Sequence, residues 1–155
     1  MAVEIEHKYL VHIDLWRKAT SHASVRVTQA YMLTDPNKTI RVRTMGTTAF
    51  ITIKGKTIGA SRAEFEYEIP LGDAQELIAQ FCHNCIDKTR HYVNYENKLW
   101  EVDEFHGENQ GLIVAEIELN TETETYTLPN WVGENVTTDM RYTNAKLSVT
   151  PYTAW

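Results

Sequence analysis

Apolar and polar residues alternate in eight stretches of this 155-residue chain: Val3 to Val11, Val25 to Leu33, Thr39 to Thr44, Ala49 to Lys54, Glu64 to Ile69, Thr89 to Tyr95, Leu99 to Phe105 and Leu112 to Leu119. A period of two with β-branched and aromatic residues on the apolar side predicts a strand at each. Turn chemistry separates them. Asp35-Pro36-Asn37 and Glu96-Asn97-Lys98 read as hairpin links, Gly46 sits between two strands, and Gly55 and Gly59 bracket a loop. The order reads as largely antiparallel. Helical periodicity is scarce. It predicts one helix over Asp73 to Phe81, with Asp73 as cap, Glu76 three residues on, and Leu77, Ile78 and Phe81 as the apolar stripe. A second runs from Asp14 to Thr20, and a third from Arg141 to Val149, ended by Pro151. No repeat or linker-like composition divides the chain, so residues 1–155 read as one domain.

The polar side of these strands is charged, and each strand keeps to a narrow set of signs. Residues two apart share a face, so Glu4, Glu6 and Lys8 point one way on the first strand. Arg41 with Arg43, Thr52 with Lys54, Glu64 with Glu66 and Glu68, Lys88 with Arg90, Glu101 with Asp103, and Glu116 with Glu118 repeat the pattern. A solvated sheet face intermixes signs to soften repulsion between neighbours. Here acidic and basic strands are segregated, the opposite faces carry large apolar residues, and few helices exist to cover an open sheet. The expected fold is therefore mainly β: an eight-stranded antiparallel closed barrel with a charged interior and a few flanking helices. The lumen becomes the expected binding site.

Composition narrows the classes. Fifteen Lys and Arg against 21 Asp and Glu give a net charge of −6, the wrong sign for a dedicated nucleic-acid binder. The first residues carry no apolar run of signal-peptide or membrane-span length. The expectation is a cytoplasmic protein without nucleic-acid or membrane partners, monomeric or homodimeric. Cys82 and Cys85 form one CxxC beside His83, but no second pair completes a zinc site, and a structural role is the expected one. Trp131 and Trp155 lie outside the strands, where packing is a commoner use than stacking on a nucleobase.

The lumen charges imply a chemistry. Carboxylates at i and i+2 lie about 7 Å apart along a strand, so Glu4 with Glu6 and Glu116 with Glu118 are each spaced to hold a cation between them. All-oxygen donors select hard ions, Mg²⁺ or Mn²⁺. The basic set Lys8, Arg41, Arg43, Lys54, Arg62, Lys88 and Arg90 suits a polyanion, with guanidinium forks matching phosphate oxygens in pairs. A ligand with several phosphates satisfies both sets.

At this point the chain resembles a known family. Glu4-Ile5-Glu6-His7-Lys8 looks like the ExExK signature of the CYTH superfamily, the triphosphate tunnel metalloenzymes. It is followed in order by Arg41 and Arg43, Lys54, Arg62 with Glu64 and Glu66, Lys88-Thr89-Arg90, Glu101 with Asp103, and Glu116 with Glu118, so the likeness spans almost the whole chain. Short bacterial inorganic triphosphatases are the members it most resembles. The resemblance implies metal binding by Glu4, Glu6, Glu116 and Glu118 together with Asp103, and phosphate binding by Lys8, Arg41, Arg43, Lys54, Arg62, Lys88 and Arg90. Arg141, in Thr138-Asp139-Met140-Arg141-Tyr142, is similar to the stretch before the closing helix of those members and joins the substrate set. Met1 to Val3 hold no HF doublet of the kind that precedes ExExK in cyclase-type relatives.

The expected reaction is in-line attack of water on a terminal phosphorus of inorganic tripolyphosphate, giving diphosphate and phosphate. Lys88, with its pKa pushed down by cations such as Arg90, is one candidate to take the water's proton, and a metal-bound glutamate such as Glu6 is another. Tyr31 is a third catalytic candidate, as a partner for Lys88, although it also alternates with Val25 and Val27 as a core residue would. ATP and thiamine triphosphate stay open as substrates, adenylate cyclase as an activity, and a non-catalytic polyphosphate-binding module as the rival class.

Overall fold

The computed structural model describes residues 3–19 and 22–155. All eight predicted strands form: β1 (Val3–Val11), β2 (Ala23–Asp35), β3 (Lys38–Met45), β4 (Thr48–Gly55), β5 (Ser61–Ile69), β6 (Asn84–Tyr95), β7 (Lys98–Phe105) and β8 (Ile113–Glu118). They pair antiparallel in the ring β1-β5-β4-β3-β2-β6-β7-β8, and β8 returns to β1. The result is a closed eight-stranded barrel. A ninth strand, β9 (Val132–Asn135), pairs with β1 at Tyr9 and Val11. It takes over the edge of β1 that β5 occupies only as far as Ile5.

The hairpins have the geometry their residues favour. Asp35 Oδ1 accepts from Asn37 N at 2.8 Å in the β2–β3 turn, a side-chain mimic of a backbone turn. Glu96 and Asn97 both hold positive φ, 48° and 63°, which matches the right-handed twist of the strands they join. β6 begins at Asn84, five residues before the predicted Thr89, because it pairs with β2 back to Tyr31. Cys85, Asp87 and Lys88 thus belong to the strand.

Helix ends depart from expectation. The helix α1 spans Ile13–Arg17, and the predicted end at Thr20 lies outside the described residues. The second, α2, spans Leu71–Phe81 with Pro70 at its N-cap and no side-chain cap. Asp73 lies instead in the first turn, where the helix dipole favours a carboxylate, and Phe81 is exposed. The third, α3, is only Asn144–Val149. Met140–Tyr142 form a separate 3₁₀ turn, because Thr143 is extended and its hydroxyl accepts from Lys146 N to start the helix, an N-cap that breaks one predicted helix in two.

Directly opposed residues of an antiparallel ladder share a face. Following that rule around the ring, Glu4 faces Arg62, Glu64 faces Lys54, Thr52 faces Arg41, Arg43 faces Gln29, Val27 faces Lys88, Arg90 faces Asp103, Glu101 faces Glu116, and Glu116 faces Lys8. The walk returns to β1 on the face from which it left. One set of side chains therefore lines the lumen.

The outward faces are covered in two places. Tyr9, Trp100, Val102, Ala115 and Ile117 pack with Trp16 and Trp131, while Val42 and Ala49 pack with Ala74, Leu77 and Ile78 of α2. A third apolar cluster lies at one end of the lumen. Tyr31, Ile86, Phe105 and Val114, all on the inward face by register, meet Tyr142 and the fully buried Leu147 of α3. The barrel interior is thus apolar and filled toward α3, and charged elsewhere.

Candidate active site

The β6–β7 wall holds a closed ionic knot. Asp103, without solvent exposure, accepts from Lys88 Nζ at 2.8 Å and from Arg90 Nε and Nη2 at 2.8 and 3.0 Å. Arg90 also donates to Glu101 at 2.9 Å. Burial pushes the Asp103 carboxyl up, but Arg90 and Lys88 outweigh it and hold the group well below the usual carboxylate range. Lys88 goes the other way. Burial, with help from Arg90, lowers its pKa to about 8 despite Asp103. Its Nζ donates a second bond, to Asn144 Oδ1 at 3.1 Å.

The strands that continue the ring from β7, namely β8, β1, β5 and β4, are less well neutralised. Glu4 binds Lys54 Nζ at 2.9 Å, and Lys54 also reaches Glu64 at 3.2 Å. Glu116 has Lys8 at 3.8 Å and Arg90 at 3.9 Å. Among the described residues, neither Glu6 nor Glu118, which face each other across the β1–β8 ladder, has a cation within salt-bridge distance. Burial and the carboxylates of Glu116 and Glu4 raise the Glu6 pKa well above the ordinary value. Glu64 rises to about 7 through burial and its hydrogen bond with Glu4.

The β3 arginines stand between these walls. Arg43 donates to Glu66 at 3.1 Å, and Arg41 approaches the same oxygen at 3.9 Å. Their Nε atoms, and Oε1 of Gln29, are buried with no hydrogen-bond partner among the described residues. An orphaned guanidinium donor inside a charged cavity is a position an oxyanion fills. Tyr31 accepts from Gln29 Nε2 at 3.2 Å and lines the cavity beside Arg41.

The most charged part of the lumen encloses about 210 Å³ and is lined by acids and bases together with Asn144, while Tyr31, Lys8 and Arg62 line the adjoining part. With Lys8 and Arg62 counted, seven cations stand against seven carboxylates in the lumen, so an added divalent cation would tip the balance toward an anionic ligand. A divalent ion fits the donor set: oxygen ligands only, with Glu6 and Glu118 free of cationic partners and the Glu6 proton displaceable. Among the described residues no three such side chains converge on one point as they stand. Glu6, Glu116 and Glu118 lie on one face at adjacent ladder positions.

A CYTH domain model matches residues 2–150. The chain belongs to the CYTH domain family. Among CYTH proteins, it is 42% identical over 153 residues to an inorganic triphosphatase of Acetivibrio thermocellus, covering 98% of this chain and 97% of that one. An inorganic triphosphatase of Nitrosomonas europaea is 34% identical over 151 residues, covering 94% and 97%. A crystal structure of the inorganic triphosphatase NE1496 superposes with a TM-score of 0.68 at 30% identity, covering 96% of each chain.

Most residues expected from the CYTH signature meet in one lumen: Glu4, Glu6, Lys8, Tyr31, Arg41, Arg43, Lys54, Arg62, Lys88, Arg90, Glu116 and Glu118 line it. Asp103 lies behind Lys88 and Arg90, with both oxygens already engaged. Arg141 does not join them. It is exposed, bound to Asp139 at 2.7 Å, and packed 4.8 Å from the Trp155 ring. Trp131 is a core residue, as its position outside the strands suggested, and Cys82 and Cys85 are free thiols. Sequence reasoning did not assign Glu64, Glu66, Glu101 or Asn144 to the site. The three glutamates carried a usable signal, since each alternates in register with an assigned residue. Asn144 had none, for it arrives by folding of the C-terminal segment.

Proposed function

We propose that this chain hydrolyses inorganic tripolyphosphate to diphosphate and phosphate with Mg²⁺ or Mn²⁺, as one CYTH domain over residues 1–155. The observation that carries the reading is the closed register that turns Arg41, Arg43, Lys88 and Arg90 into one lumen with Glu6, Glu116 and Glu118. The relatives named inorganic triphosphatase support it. Free Cys82 and Cys85 accord with a reducing cytoplasm, where the protein acts on a small molecule as a monomer or homodimer.

In this reading Lys8, Arg41, Arg43, Lys54, Arg62, Lys88 and Arg90 bind the phosphate chain, and the unpartnered Nε donors of Arg41 and Arg43 gain oxyanion acceptors. Glu6, Glu116 and Glu118, with Glu4, would hold the metal, which supplies positive charge against the phosphoryl oxygens and the leaving diphosphate. Asp103 orders Lys88 and Arg90 in place of ligating. Water attacks the terminal phosphorus in line, and the bond to the bridging oxygen breaks. The water's proton passes to Lys88 Nζ, which burial brings to a pKa of about 8, close enough to neutrality for general base work. Tyr31, packed beside Arg41, fixes the wall on which that guanidinium sits.

The test is phosphate release from tripolyphosphate, ATP and thiamine triphosphate, with Mg²⁺, Mn²⁺ or EDTA. Release from tripolyphosphate that EDTA stops is the expected result. Tight tripolyphosphate binding without turnover would identify a binding module instead, and faster release from ATP or thiamine triphosphate would move the substrate assignment.

A further inference from the structure

Among the described residues Lys88 Nζ makes two hydrogen bonds, and only one of them comes from the barrel. Asp103 Oδ2 is a strand residue at 2.8 Å. Asn144 Oδ1, at 3.1 Å, belongs to the first turn of α3. That turn is fixed from two sides: Thr143 caps it through Lys146 N at 3.2 Å, and Leu147, with no solvent exposure, seats it in the apolar end of the lumen. Just before it, Tyr142 O accepts from Lys8 Nζ at 3.2 Å. The C-terminal segment therefore touches two of the lumen's lysines, and Asn144 lines the charged cavity among acids and bases.

A lysine nitrogen has three tetrahedral positions beyond Cε. A neutral amine fills two with N–H and one with its lone pair. With Asp103 and Asn144 taking the two N–H bonds, the third direction is the lone pair's alone. Without Asn144, one N–H loses its acceptor and the amine can rotate about Cε–Nζ, spreading the lone pair over more than one direction.

We infer that Asn144 is a positioning residue for the reaction: its side-chain oxygen fixes the rotation of the Lys88 amine so that the lone pair faces the attacking water. The inference rests on the hydrolase reading above and adds to it a residue outside the barrel strands. It also gives α3 a role in turnover beyond filling one end of the lumen.

The experiment compares wild type, Asn144→Leu and Asn144→Asp from pH 9 upward by steady-state kinetics on tripolyphosphate and by thermal unfolding. Leucine removes the acceptor at similar size, and aspartate keeps one. Expected is a fall in kcat of roughly ten- to a hundredfold for N144L, the scale of a misplaced reacting group, with KM within about twofold and Tm unchanged. N144D is expected to restore kcat to within about fivefold of wild type at the plateau of its own pH profile, which the added charge shifts to higher pH. The inference is overturned if N144L turns over like wild type, if KM rises while kcat holds (a substrate contact), or if N144D fails to rescue and both variants lose Tm in step with kcat (a structural role). Inactive wild type would instead remove the hydrolase reading and this inference together, an outcome distinct from an active wild type that ignores N144L.

Discussion

Asp103 and Glu6 are both inward-facing carboxylates of one barrel, yet their environments have opposite effects. Asp103 gives both oxygens to Lys88 and Arg90, and its pKa is depressed. Glu6 faces Glu118, lies near Glu116 and Glu4, and its pKa is raised. Burial alone pushes both groups upward, so the cations decide the outcome. The β6–β7 wall is a finished structure that organises its own bases. The β1–β8 wall is less neutralised, and in the proposed reading a divalent ion would complete it.

The contrast predicts that activity and stability come apart. The largest effect is expected for Glu6→Gln, which removes a proposed metal ligand: Mg²⁺-dependent phosphate release should fall by about a thousandfold or more. Urea unfolding of the metal-free protein should show no loss of stability, because an uncharged amide takes the place of a carboxyl that Glu4, Glu116 and burial already hold toward its neutral form. Equal loss in both assays would remove the idea that this wall waits for a cation. Asp103→Ala should do the reverse in stability. Leaving Lys88 and Arg90 buried without their shared partner costs about 3–5 kcal/mol, read as a lower urea midpoint at unchanged slope.

Three smaller effects sharpen the comparison. With Lys88 lowered to about 8 by burial, its neutral form grows as pH rises through that value, so kcat should increase roughly tenfold between pH 7 and 9. A flat profile, or full turnover by Lys88→Ala, would take the base role from it. The raised Glu6 pKa means that metal binding displaces a proton. Adding Mg²⁺ in weak buffer near pH 7 should acidify the solution, and metal affinity should weaken as pH falls. Arg141→Ala, on an exposed ion pair outside the lumen, should change kcat/KM by less than about twofold. A larger change would return Arg141 to the substrate set.

The barrel was legible because alternation is a local signal: each strand announces its two faces, and the charges announce which face is shared. Register was not legible, since it depends on which strands meet, and register is what sets Lys54 against Glu64 and Arg90 against Asp103. The early start of β6 was hidden because Asn84 to Lys88 acquire strand structure from pairing with β2. β9 is four residues long and has no alternation to read. The break at Thr143 looked like helix because flanking residues suit one, whereas a threonine cap competes successfully for the backbone there. Arg141 was placed by its neighbours in sequence, and the turn from Asp139 directs it outward.

The apolar plug formed by Leu147 with Ile86, Phe105 and Val114 bears on polymers as well as on short anions. A chain of phosphates entering a vessel blocked at its far end cannot be threaded through, so its cut end and its tail must share one doorway. On the proposed hydrolase reading, such a vessel would admit a longer phosphate chain only by its terminus, leaving the interior of the polymer untouched.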